Sequence, residues 1–361
     1  MLPNQMSSWS LWSRRERKMD GNDTGPNRRR FLASALGAAA TSGTPVILMA
    51  KDNMTSAPQN NYTLSCFARN ATVELYVNGA PTALHTSLKD MAWTFFVPDF
   101  LRDGANRIDI AYEPLNPEER NYTPNPDVAI QAELAQGRQE PAILFNASYD
   151  MDEGRLAPRE TEIFSGIPVR RDAGTISRIR AGAEEPFVIR SGKGNATRPE
   201  YTRILAIEFQ VDDPSLGDVA WAGTEPLTDT PGMRDALWQA MARLHRAVER
   251  KDRVALVEIA RPYLSRLAYM LGKADADAAA AMILDSAPWA SDKVASLRPL
   301  LSREEARGAA LLFGSDRRLA CFADHRVTAL DAEGDFLAAL PLYFARQPGG
   351  PFLVSFSRHM K

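Results

Sequence analysis

The dipeptide Asn78-Gly79 constrains this chain most, because it closes a run that alternates with the period of a half-buried strand. Val73, Leu75 and Val77 fall on one face of that run, and Glu74 and Tyr76 on the other. Asn followed by Gly tolerates the positive φ angles of a tight hairpin turn better than any other pair, so the chain must reverse there and pair with itself. Further short apolar segments follow at 93–97, 107–112, 128–134, 142–148, 187–189 and 204–211, separated by clusters of Pro, Gly and Asn. Many short strands punctuated in this way predict an antiparallel β-sandwich over residues 51–211.

Two pieces of this region carry a family resemblance. Val77-Asn78-Gly79 is followed by Leu101, Gly104, Asn106 and Ile108 in the spacing Leu-x-x-Gly-x-Asn-x-Ile, and together they resemble the galactose-binding-like jelly-roll sandwiches. The resemblance spans residues 73–112 and implies a fold more than an activity; a generic or immunoglobulin-like sandwich shares the same features. Sugar recognition on such a domain needs exposed aromatic platforms, for which Trp93, Tyr112, Tyr122 and Tyr149 are the candidates. Trp93 lies at strand spacing from Phe95, where burial in a core is the simpler account. The acidic loop Asp150, Asp152, Glu153 has oxygen ligands suited to calcium but no EF-hand spacing, and a solvated turn explains it more simply.

Beyond residue 228 the periodicity changes from two to three and four. Thr230-Pro231 forms a helix start, with a capping hydroxyl and a proline where its missing N–H costs nothing, and Met233, Leu237, Met241, Leu244 and Val248 make one apolar stripe. A second helix begins near Asp252, bends or restarts at Pro262 and ends at Gly272. A third runs from Asp275 to Leu284, and Ser302-Arg303-Glu304-Glu305 is a capping box opening a fourth. Short strands at 311–313, 319–323, 327–330, 336–344 and 352–356 then predict an antiparallel meander. The order of elements alone is similar to NTF2-like and cystatin-like folds, an analogy that no motif carries. The expected fold class is therefore α+β: a leader over 1–50, a β-sandwich over 51–211, a linker over 212–232 and a helix-then-antiparallel-sheet domain over 233–361.

The leader supplies an address. Asn27-Arg28-Arg29-Arg30-Phe31-Leu32-Ala33 resembles the twin-arginine export signal, with Arg28, Arg29, Phe31 and Leu32 in its defining places, and residues 31–50 contain no charged side chain. The resemblance implies the twin-arginine (Tat) export machinery as a partner and a periplasmic or secreted destination. Cleavage fits after Ala40 or Ala50, and translation fits a start at Met1 or Met19. Gly37, Gly43 and Pro45 interrupt the apolar run, so no stable membrane span is expected after cleavage.

Composition narrows the chemistry. A net charge of −2 lacks the basic excess of a nucleic-acid module, so nucleic acid is not an expected partner. Cys66 and Cys321 have neither zinc nor disulfide-framework spacing; pairing across the two halves and burial as small hydrophobes both remain open. Gly192-Lys193-Gly194 lacks phosphate-loop spacing, and Asp331, Glu333 and Asp335 crowd one hairpin tip. No cofactor or metal is expected, and no catalytic residue is assigned. The four histidines stand at 85, 245, 325 and 359, and His325, between Asp324 and Arg326, is the one candidate for a general base. These features point to a non-catalytic exported protein that recognises an envelope protein or glycan through its sandwich. The alternative is a secreted hydrolase with a noncontiguous histidine and carboxylate site. Replacing Arg28 and Arg29 by lysine is expected to keep mature-sized protein out of the periplasm, because lysine offers a point charge in place of the planar guanidinium fork; cell fractionation and immunoblotting read the outcome.

Overall fold

At Asn78 and Gly79 the backbone takes φ of 49° and 84°, the two positive values a primed hairpin turn needs, joining β2 (Ala71–Val77) to β3 (Ala80–His85). The structure, a computed structural model, describes residues 61–85, 90–119, 121–159, 171–187, 190–191, 202–285, 294–323 and 326–357. The export signal with Arg28, Arg29, Phe31 and Leu32, the loop 192–194 and His325 lie outside the described residues.

The molecule is sheet-rich α+β. One five-stranded antiparallel sheet contains β1 (Tyr62–Arg69), β4 (Met91–Phe96), β6 (Ala129–Gln136), β7 (Ala142–Asp150) and β8 (Arg155–Pro158), in the order β4-β1-β6-β7-β8. A second contains β2, β3, β5 (Gly104–Pro114), β9 (Ile176–Phe187) and β11 (Thr202–Val211), in the order β3-β2-β5-β11-β9. The chain passes from one sheet to the other at Asn70, whose φ of 50° turns the corner between β1 and β2. Leu64, Cys66, Ile130 and Leu134 of the first sheet and Val73, Leu75, Ile108, Ile110 and Ile207 of the second belong to one buried cluster, so the sheets pack in sandwich-like fashion.

The helices start where their caps predict. Thr230 Oγ1 accepts from Met233 N at 3.2 Å ahead of α1 (Pro231–Glu249), and Asp252 Oδ1 accepts from Ala255 N at 3.0 Å ahead of α2 (Arg253–Met270). Asp275 caps α3 (Ala276–Leu284), and the Ser302–Glu305 capping box opens α4 (Arg303–Gly308). The whole α1 stripe from Met233 to Val248 is buried. Just before Pro262 the helical geometry is interrupted at Ala260, with φ −115° and ψ 16°, and resumes across a kink within α2, the bend or restart expected there.

The expected C-terminal meander divides into two sheets. β10 (Arg190–Ser191), β13 (Leu311–Phe313), β14 (Ala320–Phe322), β17 (Leu342–Arg346) and β18 (Phe352–Ser357) form one. β12 (Ser296–Leu297), β15 (Val327–Leu330) and β16 (Phe336–Leu340) form the other. The anticipated strand over 336–344 breaks at Pro341, which has no N–H to give a ladder. Phe313, Phe322, Phe344 and Val354 pack with the helices, while Leu319, Tyr343, Ala345 and Phe356 belong to the cluster between the first two sheets. The larger C-terminal sheet thus has a core on each face. Among the described residues no helix is long and apolar enough to cross a membrane.

The stretch 212–232, expected as a linker, is folded in. Leu216, Val219, Trp221, Thr224 and Leu227 are buried, and Trp221 Nε1 donates to Asn78 O at 2.6 Å while its ring meets Phe356 edge-on at 5.6 Å. Its Pro and Gly residues make the turns, and its apolar residues make the contacts. Trp221→Ala is therefore expected to lower stability in urea unfolding by about 3–5 kcal/mol and to open 212–232 to proteolysis; at an unpacked tether the change would stay within about 0.5 kcal/mol.

Candidate functional site

The structure gives the four sequence-designated aromatics three different positions. Trp93 is the registered neighbour of Cys66 on the core face of the first sheet, half-buried and tilted against Phe95 with ring centres 6.1 Å apart. Tyr112 and Tyr149 are buried, and a shared polar cluster brings them together. The Tyr112 hydroxyl donates to Glu184 Oε1 at 2.8 Å, which also accepts from Leu156 N at 2.7 Å. Arg203 Nη1 lies 3.4 Å from Glu184 Oε2 and also bonds Gly154 O, the carbonyl to which the Tyr149 hydroxyl donates at 2.7 Å. Burial, then the adjacent Glu184 carboxylate, push the Tyr112 phenol well above its ordinary range, so it stays a neutral donor. Each hydroxyl is spent within its own sheet, and the bonds that cross between the sheets are those of Leu156 N to Glu184 and of Arg203 to Gly154 O. Tyr122 alone is exposed, on the loop after β5.

The acidic clusters are turns. Asp150 Oδ1 accepts from Asp152 N at 2.9 Å and Glu153 N at 3.0 Å, and Asp331 Oδ1 accepts from Glu333 N at 3.1 Å and Asp335 N at 2.7 Å, the side-chain bonds that favour Asp in tight turns. Among the described residues no group of His, Cys, Asp and Glu is placed to hold a metal ion. A partly open cavity beside Met241, Phe322, Leu340 and Tyr343 has a volume of about 30 Å³, room for roughly one water.

Among the described residues, the outer face of the first sheet sets aromatic rings beside polar side chains. Because side chains alternate across a strand, the partners of the core-facing residues of β1, β4, β6 and β7 lie together on this side. The ladder sets Thr94 beside Ser65 and Ser65 beside Glu133, and in the next row Ala92, Phe67, Gln131 and Asn146. Thr94 Oγ1 and Ser65 Oγ are 3.0 Å apart, Gln131 Nε2 donates to Glu133 Oε1, and the Arg69 guanidinium lies 5.9 Å from the centre of the Phe67 ring and 3.5 Å from Asp90. The face grades from exposed at β4, where Phe96 is 44% exposed, to buried at Gln131 and Glu133. Apolar rings beside hydroxyl, amide and carboxylate groups supply contact area and orientation together. Phe96 escaped the sequence reading because it sits in the aromatic run 93–96, although alternation along the strand already sends it to the side opposite Phe95.

Compared with family models, curated proteins and solved structures, the chain matches none of them.

Cys66 and Cys321 are not joined in a disulfide. Cys66 is buried between the sheets, and burial pushes its thiol up to about 12, so near neutral pH it is protonated and shielded. Cys321 is only partly buried. Alkylation of the native protein at pH 8 is expected to modify at most Cys321, with Cys66 reacting only after denaturation; mass spectrometry of the labelled peptides distinguishes the two.

Proposed function

We propose that this chain is an exported, non-catalytic binding protein of the bacterial envelope, carried to the periplasm by the twin-arginine machinery and recognising an envelope protein or glycan. On this reading an N-terminal β-sandwich over 51–211 carries recognition, 212–232 joins it to the next domain, and the α+β domain over 233–361 offers a second surface. The observation that supports it is the outer face of the first sheet, where Phe96 is exposed beside a hydroxyl row and Phe67 stands beside Arg69. Such a face binds by area and hydrogen bonds and needs no reacting group.

Binding is measured by capture from envelope extract on the immobilised full chain, scored for one stoichiometric protein or glycan. Phe67→Ser, one strand in from the edge and checked for its fold by circular dichroism, is expected to weaken capture at least tenfold, on the order of a central interface residue. His325→Ala is expected to leave capture unchanged. Turnover of an envelope substrate that falls roughly 10²-fold in His325→Ala, the scale of a lost general base, would replace this reading with the hydrolase alternative.

A further inference from the structure

We infer that β4 is a homodimer interface, on which two copies of this chain pair edge to edge about a two-fold axis through Thr94. The inference goes beyond the proposed binding role and does not depend on it. Among the described residues β4 is laddered on one side only, to β1, and ends its sheet. An edge strand presents a row of unused backbone donors and acceptors, which proteins ordinarily blunt with Lys, Pro or a bulge. The six residues Met91–Phe96 read MAWTFF, with neither charge nor proline, and their register to β1 runs without a shift.

The register decides which groups face outward. Val97 N donates to Tyr62 O at 3.0 Å, so by the alternation of an antiparallel ladder Trp93 and Phe95 bond toward β1, whereas Ala92, Thr94 and Phe96 direct N–H and C=O to the free edge. A second β4 laid antiparallel with Thr94 on the axis puts Ala92 opposite Phe96 of the other copy. Both are hydrogen-bonded positions, and a small side chain meets a large one. In the same register Trp93 meets Phe95 at the closer, non-hydrogen-bonded positions on the core side, and threonine meets threonine on the outer side. Aromatic pairs and Thr–Thr pairs are among the favoured cross-strand neighbours. A slip of one residue would set outward-facing residues opposite inward-facing ones and misalign the hydrogen-bonding sets, while moving the axis by one residue, which keeps those sets aligned, would face Trp93 with another Trp93 or Phe95 with another Phe95 in place of the mixed pair. The half-buried Phe95 ring gains cover, and the outer faces of the two copies join across a ten-stranded sheet, twice the five strands of each copy.

Sedimentation velocity of the full chain over a concentration series is expected to show a reversible monomer–dimer equilibrium. Thr94→Pro removes the axial donors without touching the β1 ladder, an edge position where proline is tolerated; it is expected to weaken dimerisation roughly 30-fold, or about 2 kcal/mol at about 1.4 kcal/mol per factor of ten. Thr94→Cys is expected to yield a disulfide-linked dimer on oxidation, because hydrogen-bonded partners across a ladder have Cα atoms about 5.5 Å apart, within the disulfide range. Ala92→Cys is not expected to link, since its two copies would stand about 14 Å apart, four residues along the strand at about 3.4 Å each. A wild-type chain that stays monomeric throughout, a folded Thr94→Pro variant that dimerises like wild type, or equal cross-linking from positions 92 and 94 would each overturn the inference. Should Thr94→Pro fail to fold, the cysteine pair decides alone.

Discussion

The close approach of two backbones at Gly79 and Gly314 is the constraint on which the arrangement of this protein turns. A β-carbon at position 314 would stand 2.3 Å from Gly79 O, and one at position 79 would stand 2.3 Å from the Asp316 carboxyl carbon. Gly79 also holds φ of 84°, so glycine is required there twice over, by conformation and by space. Into this contact Ser315 N donates to Gly79 O at 3.0 Å, and Trp221 Nε1 donates to the neighbouring Asn78 O. A hairpin turn selected for local reasons is thus where segments hundreds of residues apart in the chain are fixed together.

The same turn is braced from behind. Asn78 Nδ2 donates to Phe100 O at 2.7 Å and Asn106 Oδ1 at 2.8 Å, while its Oδ1 accepts from Arg107 N at 2.9 Å. Asn106, buried, donates to Arg102 O and Gly104 O and accepts from Arg102 N. Two amide side chains therefore satisfy Phe100 O, Arg102 N, Arg102 O, Gly104 O and Arg107 N in and beside the loop before β5, so these backbone groups are not orphaned. A cation performs the corresponding task at the other seam. Arg266 of α2 is buried and donates to Pro98 O at 2.7 Å, Leu101 O at 2.8 Å and Leu216 O, carbonyls at and beside the 3₁₀ turns Pro98–Phe100 and Pro214–Leu216. Its guanidinium is pulled below the ordinary arginine range by burial, and its fork reaches three acceptors where a lysine would offer a single compact ammonium.

What the sequence made legible was what is decided locally. The Asn78-Gly79 turn, the caps at Thr230, Asp252, Asp275 and Ser302, and the α1 stripe depend on neighbours within a few residues. What it concealed depends on distant partners. β9 runs over Ile176–Phe187 with Ser177, Arg178, Arg180, Glu184 and Glu185 interrupting any apolar alternation, because as an edge strand it needs only the ladder to β11 and little burial. The stretch 212–232 has the composition of a tether, and only Asn78 and Phe356, far away in sequence, make Trp221 a core residue. Tyr112 and Tyr149 looked available because nothing nearby in sequence discloses Glu184 or Arg203.

The distribution of aromatic rings on β4 follows from these constraints and sets what its surface can do. The Asn78 brace on Phe100 O fixes the chain just beyond the end of β4, and the ladder to β1 then determines which of its rings turn inward. Trp93 and Phe95 are directed to the rim of the core and Phe96 to the outer face, an assignment that a slip of one residue would reverse. Keeping a phenylalanine 44% exposed at the end of an uncharged edge strand gives up the protection that a lysine or proline would provide. That exposure lies at a sheet edge where outward backbone groups, ring placement and self-complementary spacing coincide.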